Sequence, residues 1–294
     1  MRNASAAKTR SAIATTKTTT IKWLAALALL CACSAPPSTA QTQTVPNSLF
    51  AAAPEQQWRL PDRLREISGL ALSPDGRVFG HDDEHAVIYE IDVTRGALVK
   101  AFALGDPVEA GDFEGLAITP SGEFWLTTSR GELYRFREGS DGEHVAFARE
   151  DSGAPRACEV EGLAYVADSL ILACKRHDGR DMRRTVALYQ WRFGGEAQIW
   201  RTWPEDAFTA AAGGQHFRPS SLDVDQASGR LLLLSAFDAA LAEIASDGEI
   251  MAVRALGRTH VQAEGVVAAA DGALIIADEG AGGRALLSRY ARNP

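Results

Sequence analysis

Between residues 48 and 292 the chain has no asparagine, and nowhere does it carry an apolar run long enough to span a membrane. A bilayer core needs about 20 consecutive apolar residues, and the longest candidate, Trp23–Ala32, has ten. Cysteine is scarce. There are four, two of them (Cys31 and Cys33) close to the N-terminus, which excludes a disulfide-dense scaffold and a cysteine-rich metal site. A sustained helical period is missing too, so an alternating α/β chain is excluded. There is no G-x-S-x-G elbow, no H-E-x-x-H pair and no phosphate-cradling glycine loop. Positive charge is also short. Residues 1–32 hold five basic side chains (Arg2, Lys8, Arg10, Lys17 and Lys22) and no acid, and the remainder sets 25 basic against 38 acidic residues, a net of −13. Such a surface repels phosphate backbones, which excludes nucleic acid as an expected partner, and it attracts cations.

The first residues read as a targeting segment: a basic n-region through Lys22, the short apolar stretch, then Leu30-Cys31-Ala32-Cys33. This end resembles the bacterial lipobox, with Cys33 as the lipidated residue, Leu30 three positions before it and Ala32 immediately before it. Cys31 is the weaker register, because the Leu30 preceding it is not small; an ordinary secretory peptide cleaved near Ala40 is the alternative. Ser34, standing where an Asp would hold a lipoprotein at the inner membrane, resembles outer-membrane sorting. The expected organisation is a signal peptide over 1–32, a flexible tether over 33–55 rich in Ser, Thr, Pro, Gln and Ala, and a folded domain over 56–294. The product is then an exported monomer in the cell envelope, facing the periplasm and touching the membrane through its lipid alone. In that oxidising compartment Cys158 and Cys174 have the option of pairing. A hairpin turning near Ala167-Asp168, however, sets Cys174 opposite Glu161, so two buried thiols are expected, with a disulfide as the alternative.

Internal repetition decides the fold. A short strand opening with a polar pair and a small residue occurs five times: Glu66-Ile-Ser-Gly-Leu-Ala, Asp112-Phe-Glu-Gly-Leu-Ala, Glu159-Val-Glu-Gly-Leu-Ala, Arg218-Pro-Ser-Ser-Leu-Asp and Gln262-Ala-Glu-Gly-Val-Val. Aligned on Gly69, Gly115, Gly162, Ser221 and Gly265, the copies lie 46, 47, 59 and 44 residues apart. Each is followed by further short strands and Gly-centred turns, such as Ser73-Pro-Asp-Gly76. Four strands in about 45 residues is one propeller blade. The last copy is a strand short, and Gln56–Leu60 is a strand-like run without a partner. The sequence therefore predicts an all-β propeller of five four-stranded blades, closed by Gln56–Leu60 as the outer strand of the last. Six blades is the alternative if the 59-residue interval hides strands.

Glu159-Val-Glu-Gly-Leu-Ala-Tyr, Leu170-Ile-Leu-Ala-Cys-Lys175, Arg218-Pro-Ser-Ser-Leu, Gln262-Ala-Glu-Gly-Val and Ile275-Ile-Ala-Asp-Glu-Gly280, in that order, resemble the SdiA-regulated (YjiK-like) propeller family over roughly residues 58–292. The chain is more distantly similar to esterase-like phytase and gluconolactonase-type propellers. Lactonase-type relatives use asparagine among their calcium ligands, and phytases use more aspartate. This chain departs from both.

The inner strands of a propeller line its channel, so equivalent residues converge there. One level holds Ser68, Glu114, Glu161, Ser220 and Glu264; the level two residues earlier holds Glu66, Asp112, Glu159, Arg218 and Gln262. Carboxylates crowded this way need protons, basic partners or a hard cation. Calcium suits them, with Glu114, Glu161 and Glu264 as ligands, Asp82 and Asp278 adding oxygens from the ends of second strands, and Arg130, Lys175 and Arg218 as competing counter-ions. The expectation is a calcium-stabilised binding module that presents a face to a protein or small ligand. A channel neutralised by its own bases, a catalytic acid pair, and a metal-dependent hydrolase of phosphoesters or lactones are the alternatives. Trp191, Trp200 and Trp203 are expected to pack the outer third blade, and His81 and His85 to be solvated loop residues.

Overall fold

Why five repeats close into a ring is visible in the computed structural model, which describes residues 47–294 apart from Ala281. The expected signal segment, Cys33 and the first part of the tether lie outside the described residues. Each repeat forms an antiparallel meander whose first strand faces the axis. These inner strands are Ile67–Leu72, Phe113–Ile118, Cys158–Val166, Ser221–Asp225 and Ala263–Ala268, in blades one to five. They neighbour one another in chain order, and the fifth returns to the first. The outer strand of blade five is Gln56–Arg59, antiparallel to Leu286–Tyr290 with Trp58 opposite Leu287, as the truncated last repeat requires.

Stability comes from the seams. The described residues carry five buried apolar clusters, one between each pair of neighbouring blades. The alternating Leu, Ile and Val of each strand feed the seams on its two sides, the arrangement that period-two patterning dictates. Between blades one and two the filling is aromatic, with Phe79 edge-on to Phe124 at 5.0 Å. Trp191 is buried beside Trp125, at 5.4 Å, in the next seam. Trp200 and Trp203 pack partly buried against the blade three–four cluster, so the three tryptophans serve packing as expected.

The small residue of the repeat has a steric reason. A Cβ on Gly115 would lie 2.7 Å from the Leu163 nitrogen, and one on Gly162 would lie 2.9 Å from that of Leu222. The inner strands approach too closely for side chains at that level. In blade four the position is Ser221, whose Oγ accepts a hydrogen bond from the Val266 nitrogen at 3.2 Å.

The expected five blades are found, and the 59-residue interval holds no sixth; it contains a short helix, Asp206–Ala212, whose Phe208 is buried in the seam. His144–Val145 pairs in parallel with the outer strand of blade one, while Phe147–Asp151 completes blade two. Two expectations are corrected. The last part of the tether, residues 47–55, is not a tether at all. Phe50 is 1% exposed in the seam between blades four and five, and buried Glu243 binds Ser48 Oγ at 2.5 Å and the Leu49 nitrogen at 2.8 Å. The C-terminus shares this clasp through the Asn293 nitrogen on the Leu49 carbonyl and the paired Arg292–Asp225 contacts at 2.9 and 2.8 Å. Finally, Cys158 and Cys174 form a disulfide with a Cα–Cα distance of 5.4 Å. A register shift leaves Glu161 without a partner and sets Cys174 across from Val160, so Cys158 lies diagonally on the same face. A simple hairpin count misses that shift.

Candidate functional site

The same irregularity builds the channel. In blades two, three and five the ladder skips one inner-strand residue: Phe113 and Gly115 are paired but not Glu114, Val160 and Gly162 but not Glu161, Ala263 and Gly265 but not Glu264. A bulge of this kind re-aims a side chain, and here it brings three glutamates together. In blade one the skipped residue is Gly69, at φ +43°, against which the buried His81 ring packs. Blade four has no skip. Its Ser220 is buried, donating to the Ala263 carbonyl at 2.8 Å, and Ser68 is buried too.

The three glutamates surround one lysine. Lys175 Nζ donates to Glu161 Oε1 at 3.0 Å and feels Glu264 and Glu114 as well. Burial raises the Glu114 carboxyl far above the usual range, helped by Glu161 and Asp112. Burial likewise raises Glu161, with Lys175 opposing, and lifts Glu264 to about 8, with Glu161 adding to it. One ammonium cannot neutralise three buried carboxylates, so burial and mutual repulsion favour their protonated forms.

At the upper mouth, where the inner strands begin, the bordering acids take different roles. Asp112 accepts from Ser129 Oγ, and Glu159 pairs with Arg176 at 2.6 Å. Glu66, by contrast, joins Asp83 and Glu279. Among the described residues these are the one group of three such side chains whose ligand atoms lie within 4.8 Å of one another. Asp83 is raised to about 6 by burial and by Asp82, Glu66 and Glu84; Glu279 is raised by burial and its contact with Glu66. Gln262 donates to Glu279, while Asp83 Oδ1 is buried and accepts no hydrogen bond.

Glu114, Glu161 and Glu264 thus meet as expected, but around a lysine and outside the 4.8 Å grouping. Asp82 and Asp278 are not among them. Asp82 accepts from the backbone of Glu84 and His85 and from the Tyr89 hydroxyl. Asp278 holds buried His260 at 2.7 Å, and His260 meets the Tyr290 hydroxyl at 2.5 Å. Asp83 and Glu279 are the next residues along, and one step along a strand end exchanges faces. Of the expected counter-ions only Lys175 serves. Arg218 stacks on exposed Phe237 at 4.7 Å, and Arg130 lines a separate cavity of about 770 Å³ between blades two and three. His81 is wholly buried, with burial lowering its pKa to about 4, and is no loop residue; His85 is exposed.

Comparison with known proteins agrees with this architecture. The sequence model of the SdiA-regulated family matches residues 53–281. No curated protein matches the chain significantly. Among solved structures, glutaminyl cyclase from Myxococcus xanthus superposes with a TM-score of 0.53 at 14% identity, over 82% of this chain and 97% of that one. A PQQ-bound aldose sugar dehydrogenase from Streptomyces coelicolor gives 0.49 at 14%, over 81% and 99%. Virginiamycin B lyase from Staphylococcus aureus gives 0.43 at 13%, over 79% and 68%. At these identities the likeness is one of fold alone.

Proposed function

The chain belongs to the SdiA-regulated family, and from that premise we propose that it is a binding propeller of the cell envelope, without catalysis of its own, that holds one calcium ion at the upper mouth of its channel. The N-terminal signal pattern supports export and a lipid anchor at Cys33. The carrying observation for the ion is the convergence of Glu66, Asp83 and Glu279, with an orphaned buried oxygen on Asp83. The donors are all hard carboxylate oxygens, without histidine or thiolate. That suits calcium, which takes six to eight oxygens and completes its shell with water. This reading prefers the mouth to Glu114, Glu161 and Glu264 for the ion, because Lys175 already pairs with Glu161 there. The upper face then presents its mouth to a protein or small ligand.

The second reading, a metal-dependent hydrolase, draws on Glu114 and Glu161, neighbouring buried carboxyls both raised by burial, so that one of them is suited to hold a proton. Two measurements on metal-stripped protein separate the readings. Thermal melting with and without calcium tests the ion: an upward shift in millimolar calcium supports the binding reading. A screen with generic phosphoester and lactone substrates tests the hydrolase, and calcium-dependent turnover there overturns the non-catalytic reading.

A further inference from the structure

The cavity between blades two and three borders the channel mouth at Asp112 and Glu159, includes none of Glu66, Asp83 and Glu279, and has a mixed lining. Its wall holds three arginines, Arg130, Arg156 and Arg176, and five acids, Asp112, Glu132, Asp151, Glu159 and Asp178. Arg176 is occupied by Glu159 at 2.6 Å. Arg130 and Arg156 form no ion pair among the described residues, so two guanidiniums face the cavity with their donors free. The Cys158–Cys174 disulfide braces this wall, since Cys158 lines the cavity and adjoins Glu159. On the axial side the lining ends at Asp112, whose charge acts on Glu114.

We propose that this cavity binds a small zwitterion, a molecule of about dipeptide size with a carboxylate at one end and an ammonium at the other. The carboxylate lies on Arg130 and Arg156, whose planar forks match it in bidentate geometry. The ammonium lies toward Asp112, which forms no ion pair among the described residues, and not toward Glu159, which Arg176 already holds. A simple anion is disfavoured by the five acids of the wall, and a simple cation leaves the two free guanidiniums without a partner; a ligand with both charges, separated, satisfies both sides. The volume of about 770 Å³ sits within the range of small-molecule sites. The proposal goes beyond the calcium reading and does not depend on it.

The test is calorimetric titration of the full chain with alanyl-alanine, its N-acetyl form and its C-terminal amide, each with and without chelator. Saturable binding of the free dipeptide is expected, unaffected by chelator, with each capped form at least about tenfold weaker, or about 1.4 kcal/mol. An Arg130→Ala/Arg156→Ala variant should lose the dipeptide to the same degree yet keep its melting temperature and its calcium response, because both side chains are exposed. The proposal is overturned if the free dipeptide does not bind at millimolar concentration or if the capped forms bind equally well. Binding that appears only with calcium, or that survives in the double arginine variant, overturns it as well.

Discussion

Replacing Phe50 by alanine probes the clasp that closes the ring. The side chain lies in the blade four–five seam with Leu232, Leu234 and Tyr290, and 1% of it is exposed. Truncating a fully buried phenylalanine costs about 3–5 kcal/mol, from lost transfer energy and the cavity left behind. For a folded unit of this size each kcal/mol moves the midpoint by about 2–4 °C, so the variant should melt lower by about 6–20 °C. The hydrogen bonds of the Leu49 and Ala51 nitrogens, to Glu243 at 2.8 Å and to the Ala291 carbonyl at 2.9 Å, use only the main chain of the clasp and remain available. The shift therefore reports burial of the ring. Deleting residues 34–46 removes none of these contacts and should leave the midpoint in place. Deleting 34–52 should cost more than Phe50→Ala, because it also strips buried Glu243 of Ser48 and Leu49 and buried Arg254 of the Ala51 carbonyl. Scanning calorimetry reads all three. If Phe50→Ala melts with the parent, residues 47–52 are no part of the folded unit and the clasp is refuted.

Two further outcomes follow from the channel and the disulfide. The raised carboxyls bind protons in the folded state that the unfolded chain has released, so stability should fall as pH rises from about 4.5 to about 8, the ordinary and shifted values for Glu264. Glu264→Gln should flatten that slope in chemical denaturation across the same window, and an unchanged slope would mean that Glu264 titrates normally. Reducing the Cys158–Cys174 bond, which joins residues 16 apart, should lower stability by about 3 kcal/mol on the loop-entropy account; denaturation with and without reductant measures it, and coincident curves would contradict the bond.

The repeats made the fold legible. Five copies of one strand motif, a last copy lacking a strand and an unpartnered run at Gln56–Leu60 were enough to place every blade and the closing strand. What escaped are features that depend on one residue of register. Glu161 drops out of the ladder, and that single skip turns it into the channel and brings Cys174 diagonal to Cys158; nothing in Glu159-Val-Glu-Gly announces it. The same sensitivity selected Asp82 and Asp278 where the mouth is formed by Asp83 and Glu279, because alternation at a strand end depends on where the strand stops. The clasp escaped for another reason. Residues 47–55 have no periodicity, since they are held by one buried ring, the Ser48 hydroxyl and main-chain contacts, which leave no pattern in composition.

The most direct test of the account is a crystal of the metal-stripped protein soaked in calcium and measured for anomalous scattering. One peak is expected between Glu66, Asp83 and Glu279, with water completing its shell. A peak among Glu114, Glu161 and Glu264, or no peak at millimolar calcium, would contradict it.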